Sequence, residues 1–250
     1  RIYGYTERNN TMKKAFLAVN AVMLVVILAL DAAYMTLGGL GLKAVTSCMF
    51  VLTGLLNLLY SIKAGANRIY PVWMAVALIF AMLGDVLLGV NFYLGTAVFG
   101  IGHIFYFVSY CTLVRFNRRD FICGACIFLV ALGIILFVPF LDFGGALMQG
   151  VCCAYALVIS FMVGKAVSNF LGNRNAFTVI VAVGSILFFI SDLMLVLDRF
   201  GTIPNAGYFC LGTYYPAQFL LAFSIFSYVG LKQGKSGSKG AGYERTDGTV

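Results

Sequence analysis

"VWMAVALIFAMLGDVLLGV", residues 72–90, decides the fold. It is long enough to cross the hydrocarbon core of a bilayer as a helix and carries one charged residue, Asp85. Runs of this kind recur along the whole chain. Of 250 residues, 62% are hydrophobic and only 10% charged, which is the composition of a polytopic membrane protein. Eight spans are expected: Ala15 to Leu30, Ala44 to Ile62, Val72 to Val90, Tyr93 to Val114, Phe121 to Phe140, Gly145 to Val163, Phe177 to Leu197 and Tyr208 to Leu231. Inside lipid every backbone polar group must be satisfied within its own segment, and runs this long suit helices rather than the short alternating strands of a barrel. The expected fold is an all-α bundle of eight transmembrane helices. It comprises a cytosolic N-terminal tail over 1–14, one membrane domain over 15–231 and a disordered cytosolic tail over 232–250, where "KQGKSGSKGAGYERTDGTV" lacks apolar periodicity. The first apolar run is not followed by a small-residue cleavage site, so it is expected to serve as the first span.

The formal charge of +8 follows the topology. In an eight-span zigzag, Arg1, Arg8, Lys13, Lys14, Lys63, Arg68, Arg115, Arg118, Arg119, Lys165, Arg174 and the basic residues of the C-terminal tail fall on one side, and only Lys43 and Arg199 on the other. The positive-inside rule then places both termini in the cytosol, with an endomembrane such as the endoplasmic reticulum as the expected location in a eukaryotic cell. The basic excess implies membrane lipids as partners and no nucleic acid. The seven cysteines, including the lone CxxC of Cys123 and Cys126, form no zinc or disulfide framework and are read as small membrane-core residues.

Ionisable residues inside spans are costly and usually face a cavity or a partner. Asp85, His103, Asp192 and the pair Asp198 and Arg199 are the ones that matter, whereas Asp31 and Asp142 sit at span ends and are read as solvated. Helix rise puts Asp85 roughly 8 Å, and Asp192 roughly 9 Å, below the outer ends of their spans. His103 and the cluster Tyr214, Tyr215 and Gln218 come from the same side. Tyr214 and Gln218 share a helix face, and Ser185, Asp192 and Arg199 recur every seven residues. A single polar cavity in the outer half is expected. Gly84, Gly89, Gly95, Gly100 and Gly102 are read as room for close approach of the third and fourth spans.

"LGDVLLGV", "GTAVFGIGHIFYF", "GSILFFISDLMLVLDRF" and "TYYPAQFLLAFS", in that order, resemble the YhhN, or lysoplasmalogenase, family over the third to eighth spans. The resemblance implies eight transmembrane helices and hydrolysis of the vinyl ether bond of lysoplasmalogens, a lysophospholipid substrate, to a fatty aldehyde and a glycerophospho-ethanolamine or -choline. The motif positions are Asp85, His103, Asp192, Arg199, Tyr214, Tyr215 and Gln218. In this reading Asp85 and Asp192 are the catalytic pair, a coupled acid and base of which one donates the proton and the other stabilises the cation or activates water; His103, Tyr214, Tyr215 and Gln218 orient water and the glycerol hydroxyls, and Arg199, with Lys43, holds the phosphate. Pro216 bends or begins the eighth span. No cofactor or metal is expected, since one His and two Asp make a poor zinc set.

Three other classes fit parts of the pattern. An ion- or proton-coupled transporter needs a polar path through the inner half, where Asn57, Ser109 and Ser160 offer little. An intramembrane aspartyl protease with a GxGD motif is disfavoured by Met82 at the first glycine position. A non-catalytic lipid-binding protein keeps the pocket without turnover.

Overall fold

The computed structural model describes residues 10–231 with their side chains and, as helical backbone, 2–9 and 232–243. The expectations for the tails at 1–9 and 232–250 lie outside the residues described with side chains. Eight helices follow one another: α1 (Ile2–Leu37), α2 (Leu40–Lys63), α3 (Ile69–Leu88), α4 (Phe92–Cys111), α5 (Arg118–Phe137), α6 (Ala146–Gly172), α7 (Ala176–Phe200) and α8 (Ala206–Tyr243). All eight are long and apolar enough to cross a membrane. Among the described residues there is no strand.

Local sequence explains where several helices start. Asn91 caps α4 by accepting from the Leu94 amide at 3.0 Å. Asn117 with Asp120, and Asn175 with Thr178, form capping boxes at α5 and α7, each satisfying amides that a helix start leaves without partners. Pro216 lies inside α8, which begins ten residues earlier at Ala206; the proline removes one helical N–H and leaves the Gly212 carbonyl without its usual donor.

α6 and α1 run further than their apolar runs, while α3, α4 and α5 end two or three residues before theirs. α6 continues to Gly172, past the expected end at Val163, because Lys165 is not a loop cation: its side chain is buried against Asp120, with Nζ 2.7 Å from Oδ2. α1 continues to Leu37, which places Asp31 inside the helix at 4% exposure rather than in solvent. Asp142 is exposed, as expected.

α8 is the central helix, 61% of its most apolar window being buried, while α1 and α5, at 17% and 22%, lie at the periphery. α7 packs along α8, α3 along α4 and α5 along α6. In lipid there is no hydrophobic drive between helices, so close packing at small residues has to hold them together. A Cβ at Gly84 would lie 2.7 Å from the Phe99 ring, and one at Gly95 would lie 2.5 Å from the Leu88 amide nitrogen, so α3 and α4 approach through these two glycines. The α5–α6 contact is tighter: Gly164 and Gly124 face each other backbone to backbone. Gly164→Leu is expected to overpack this seam and cost about 3 kcal/mol. Thermal unfolding in detergent measures it, and an unchanged midpoint would rule out so close a contact.

The arrangement of α1 to α4 recurs in α5 to α8. α2 packs against α8 as α6 packs against α4. Asp85 lies sixteen residues beyond the first residue of α3, and Asp192 sixteen beyond the first residue of α7. Aligned on these aspartates, Ala75 and Ala182, Val76 and Val183, Ile79 and Ile186, and Leu88 and Leu195 coincide.

Candidate functional site

The turns α1–α2, α3–α4, α5–α6 and α7–α8 lie at one end of the bundle, and the buried carboxylates of Asp31, Asp85 and Asp192 gather towards it, whereas Asp120 is buried at the other end. Asp85 on α3 is 4% exposed. Its Oδ1 is 3.0 Å from Lys43 Nζ, and its Oδ2 accepts from the Ser47 hydroxyl at 2.6 Å and the Tyr215 hydroxyl at 3.2 Å. Lys43 and Ser47 stand four residues apart and so share one face of α2. A cation and two hydroxyl donors converging on one buried carboxylate accommodate its ionised form.

Asp192 on α7 is 8% exposed and has a different set of partners. Its Oδ2 accepts from the Tyr155 hydroxyl at 2.5 Å and lies 3.2 Å from His103 Nε2, while Nε2 and the Tyr155 oxygen are 2.6 Å apart. The tyrosine donates its one proton to the carboxylate, so its lone pair is open to an N–H on Nε2. His103 is fully buried, its ring 4.7 Å from Phe188 and 6.3 Å from Phe99. Its Nδ1 has no hydrogen-bond partner.

The two centres are built alike. Each aspartate sits on the third helix of its half and bonds to the second helix of that half, through Ser47 and Lys43 or through Tyr155. Each also bonds to the fourth helix of the other half, through Tyr215 or His103. Neither aspartate hydrogen-bonds the other. Between them stands Tyr214, within electrostatic reach of both. Its hydroxyl donates to the Ala81 carbonyl at 3.2 Å, and its ring is 5.0 Å from Tyr215 and 5.5 Å from Phe188. The two aspartates, expected to share a single polar cavity, stand in two separate centres joined by aromatic rings.

The surroundings differ more than the centres. Beside Asp192 and Tyr155 an apolar crevice opens between α4, α5, α6 and α7, with walls including Phe92, Phe99, Ile135 and Val196. Arg199 is exposed at the end of α7, with its guanidinium carbon 5.5 Å from the centre of the Phe92 ring, which places it at the mouth of that crevice. Gln218 lies apart: it is fully buried and accepts from the Tyr106 hydroxyl at 2.7 Å. Among the described residues no three His, Cys, Asp or Glu side chains converge as metal ligands would, and the described cysteines are free thiols.

Three residues at this end are not assigned to the site by the sequence. Tyr155 is one tyrosine in an apolar run, and a hydroxyl at mid-span was its only signal. Ser47 was legible only as the i+4 neighbour of Lys43. Asp31 was hidden by ending the first span at Leu30.

These features define a class: a multi-pass membrane bundle with two like-built carboxylate centres at one end and an apolar crevice beside the second. The chain belongs to the YhhN family, whose profile matches residues 39–225. No curated protein and no solved structure matches it significantly.

Proposed function

We propose that the protein is a membrane hydrolase that cleaves the vinyl ether bond of lysoplasmalogens. Family membership supports the class of protein, and one observation carries the chemistry: a buried carboxylate, Asp192, bonded to Tyr155 and His103, borders an apolar crevice that suits a fatty chain. A vinyl ether is cleaved by protonating its β-carbon. Asp192 acts as the general acid that gives that proton, and the electron pair of the double bond forms the new C–H bond. The α-carbon becomes an oxocarbenium ion, as at a glycosidase centre. Asp85, ion-paired with Lys43, supplies the opposing negative charge.

Water then adds to the α-carbon, and its proton returns to the Asp192 carboxylate. The resulting hemiacetal collapses, with its hydroxyl proton passing to the glycerol oxygen as the C–O bond breaks. The products are an aldehyde and a glycerophospho-alcohol, and one water is consumed. His103 and Tyr155 hold the Asp192 carboxyl in register.

The direct test incubates the purified protein with a lysoplasmalogen and with its saturated ether analogue. Aldehyde is expected from the first alone; its absence from both rejects the reading and favours a lipid-binding role. Tyr155→Phe keeps the ring and removes the bond to Asp192, and is expected to lower kcat about 10- to 100-fold with little change in KM. Wild-type kcat in that variant would remove Tyr155 from the mechanism.

A further inference from the structure

The like-built halves invite a comparison of what flanks each centre. At Asp192 the peripheral helix of its half, α5, contributes Ala131 and Ile135 to the apolar crevice. At Asp85 the corresponding peripheral helix is α1, and it contributes a carboxylate instead. Asp31 is 4% exposed, and its Oδ1 has no hydrogen-bond partner. It lies within electrostatic reach of both Asp85 and Tyr215. Close by, the Met35 methyl, one turn further along α1, comes within 3.8 Å of where a Cβ on Gly212 of α8 would stand.

A buried carboxylate oxygen without a donor is expensive, and in a membrane helix it marks a place where a partner arrives. The charges point to the sign of that partner. Asp31 and Asp85 share this end of the first half with one cation, Lys43, and its Nζ is already bonded to Asp85. Arg199 is at the other centre, over Phe92. Among the described residues no positive side chain pairs with Asp31. The position is reachable: Asp31 lies six residues before the end of α1, roughly 9 Å, on the helix with least of its surface buried, with Leu28 and Ala32 exposed on either side.

We propose that Asp31 receives the ammonium group of a zwitterionic lysophospholipid headgroup whose phosphate lies at Lys43. This rests on the substrate class proposed above and gives the amphiphile a direction across the two centres. The fatty chain occupies the crevice at Asp192, the glycerol spans Tyr214 and Tyr215, and the headgroup ends between α1 and α2. The phosphate shares Lys43 with Asp85, and the ammonium supplies the donor that Asp31 Oδ1 lacks.

The test measures binding without turnover. The full chain in detergent is titrated with two saturated ether lipids that cannot be cleaved, 1-O-alkyl-lysophosphatidylethanolamine and 1-O-alkyl-lysophosphatidylethanol. They carry the same phosphodiester and differ only in the amine. The wild type is expected to bind the amine at least about 10-fold more tightly, as a charge-assisted hydrogen bond to a buried carboxylate allows. Asp31→Asn is expected to bring the two affinities within about twofold while binding of the ethanol lipid stays unchanged, which also reports that the variant is folded.

Equal binding of both lipids by the wild type overturns the proposal, whether or not the variant folds. So does an Asp31→Asn variant that weakens both lipids equally, since that is a structural effect. Aldehyde release from the vinyl ether is scored separately. A protein that prefers the amine but releases no aldehyde keeps the headgroup site and loses the catalytic reading, and the converse result does the opposite.

Discussion

Asp192→Asn is expected to lower vinyl ether turnover by about 10²- to 10⁴-fold, the range over which a positioned general acid acts. The substitution is nearly isosteric. The amide oxygen still accepts from the Tyr155 hydroxyl, so the contact between α6 and α7 persists, and only the transferable proton is lost. Aldehyde formation under saturating substrate measures the loss, with thermal unfolding as the control for folding. Turnover within threefold of wild type would exclude Asp192 as the proton donor. Asp85→Asn differs in kind: it leaves Lys43 without its counter-charge in a pocket where the lysine side chain is only 12% exposed. Both activity and stability are expected to fall there. The contrast between the two variants separates the acid from the charge that steadies the cation.

The largest effect on stability is expected far from the crevice, at Lys165→Met. Lys165 and Asp120 have no exposed side-chain surface, and Lys165 Nζ also donates to the Arg115 carbonyl at 3.2 Å. Asp120 Oδ2 accepts from the Asn117 amide at 2.8 Å as well, so one carboxylate closes the α5 cap and anchors α6 to α5. Removing one partner of a buried ion pair leaves the other charge without compensation and costs about 3–5 kcal/mol. The double variant Lys165→Met with Asp120→Asn keeps an acceptor for the cap and removes the stranded charge, so it is expected to recover most of that loss. Unfolding midpoints of the single and double variants decide the matter; equal midpoints for Lys165→Met and wild type would show that the pair contributes nothing.

Lys165 also shows how far charge counting along a sequence reaches. A lysine after an apolar run reads as a loop cation, because the cost of burying it can be judged locally but the presence of Asp120 on another helix cannot. Asp31 was misplaced for the same reason. Its charge ends an apolar run, yet the helix continues through it to Leu37. Of the five glycines read as room between the third and fourth spans, Gly84, Gly95 and Gly102 serve there, the room they leave being taken up by Phe99, Leu88 and Phe80, whereas Gly89 faces Leu40 of α2 and Gly100 faces Tyr155 of α6.

The eight helices were determined by the sequence itself, because in lipid each segment must satisfy its own backbone, and that demand is met or failed within some twenty residues. The same local cost marked Asp85, His103 and Asp192 as residues needing partners. Who those partners are was decided only by the tertiary structure. It brought Lys43 and Ser47 to one aspartate and Tyr155 and His103 to the other, placed Gln218 with Tyr106, and left an oxygen of Asp31 without a donor. A partner depends on which face each helix turns toward its neighbours. That rotation is set by small-residue contacts among several helices at once, which no single segment encodes.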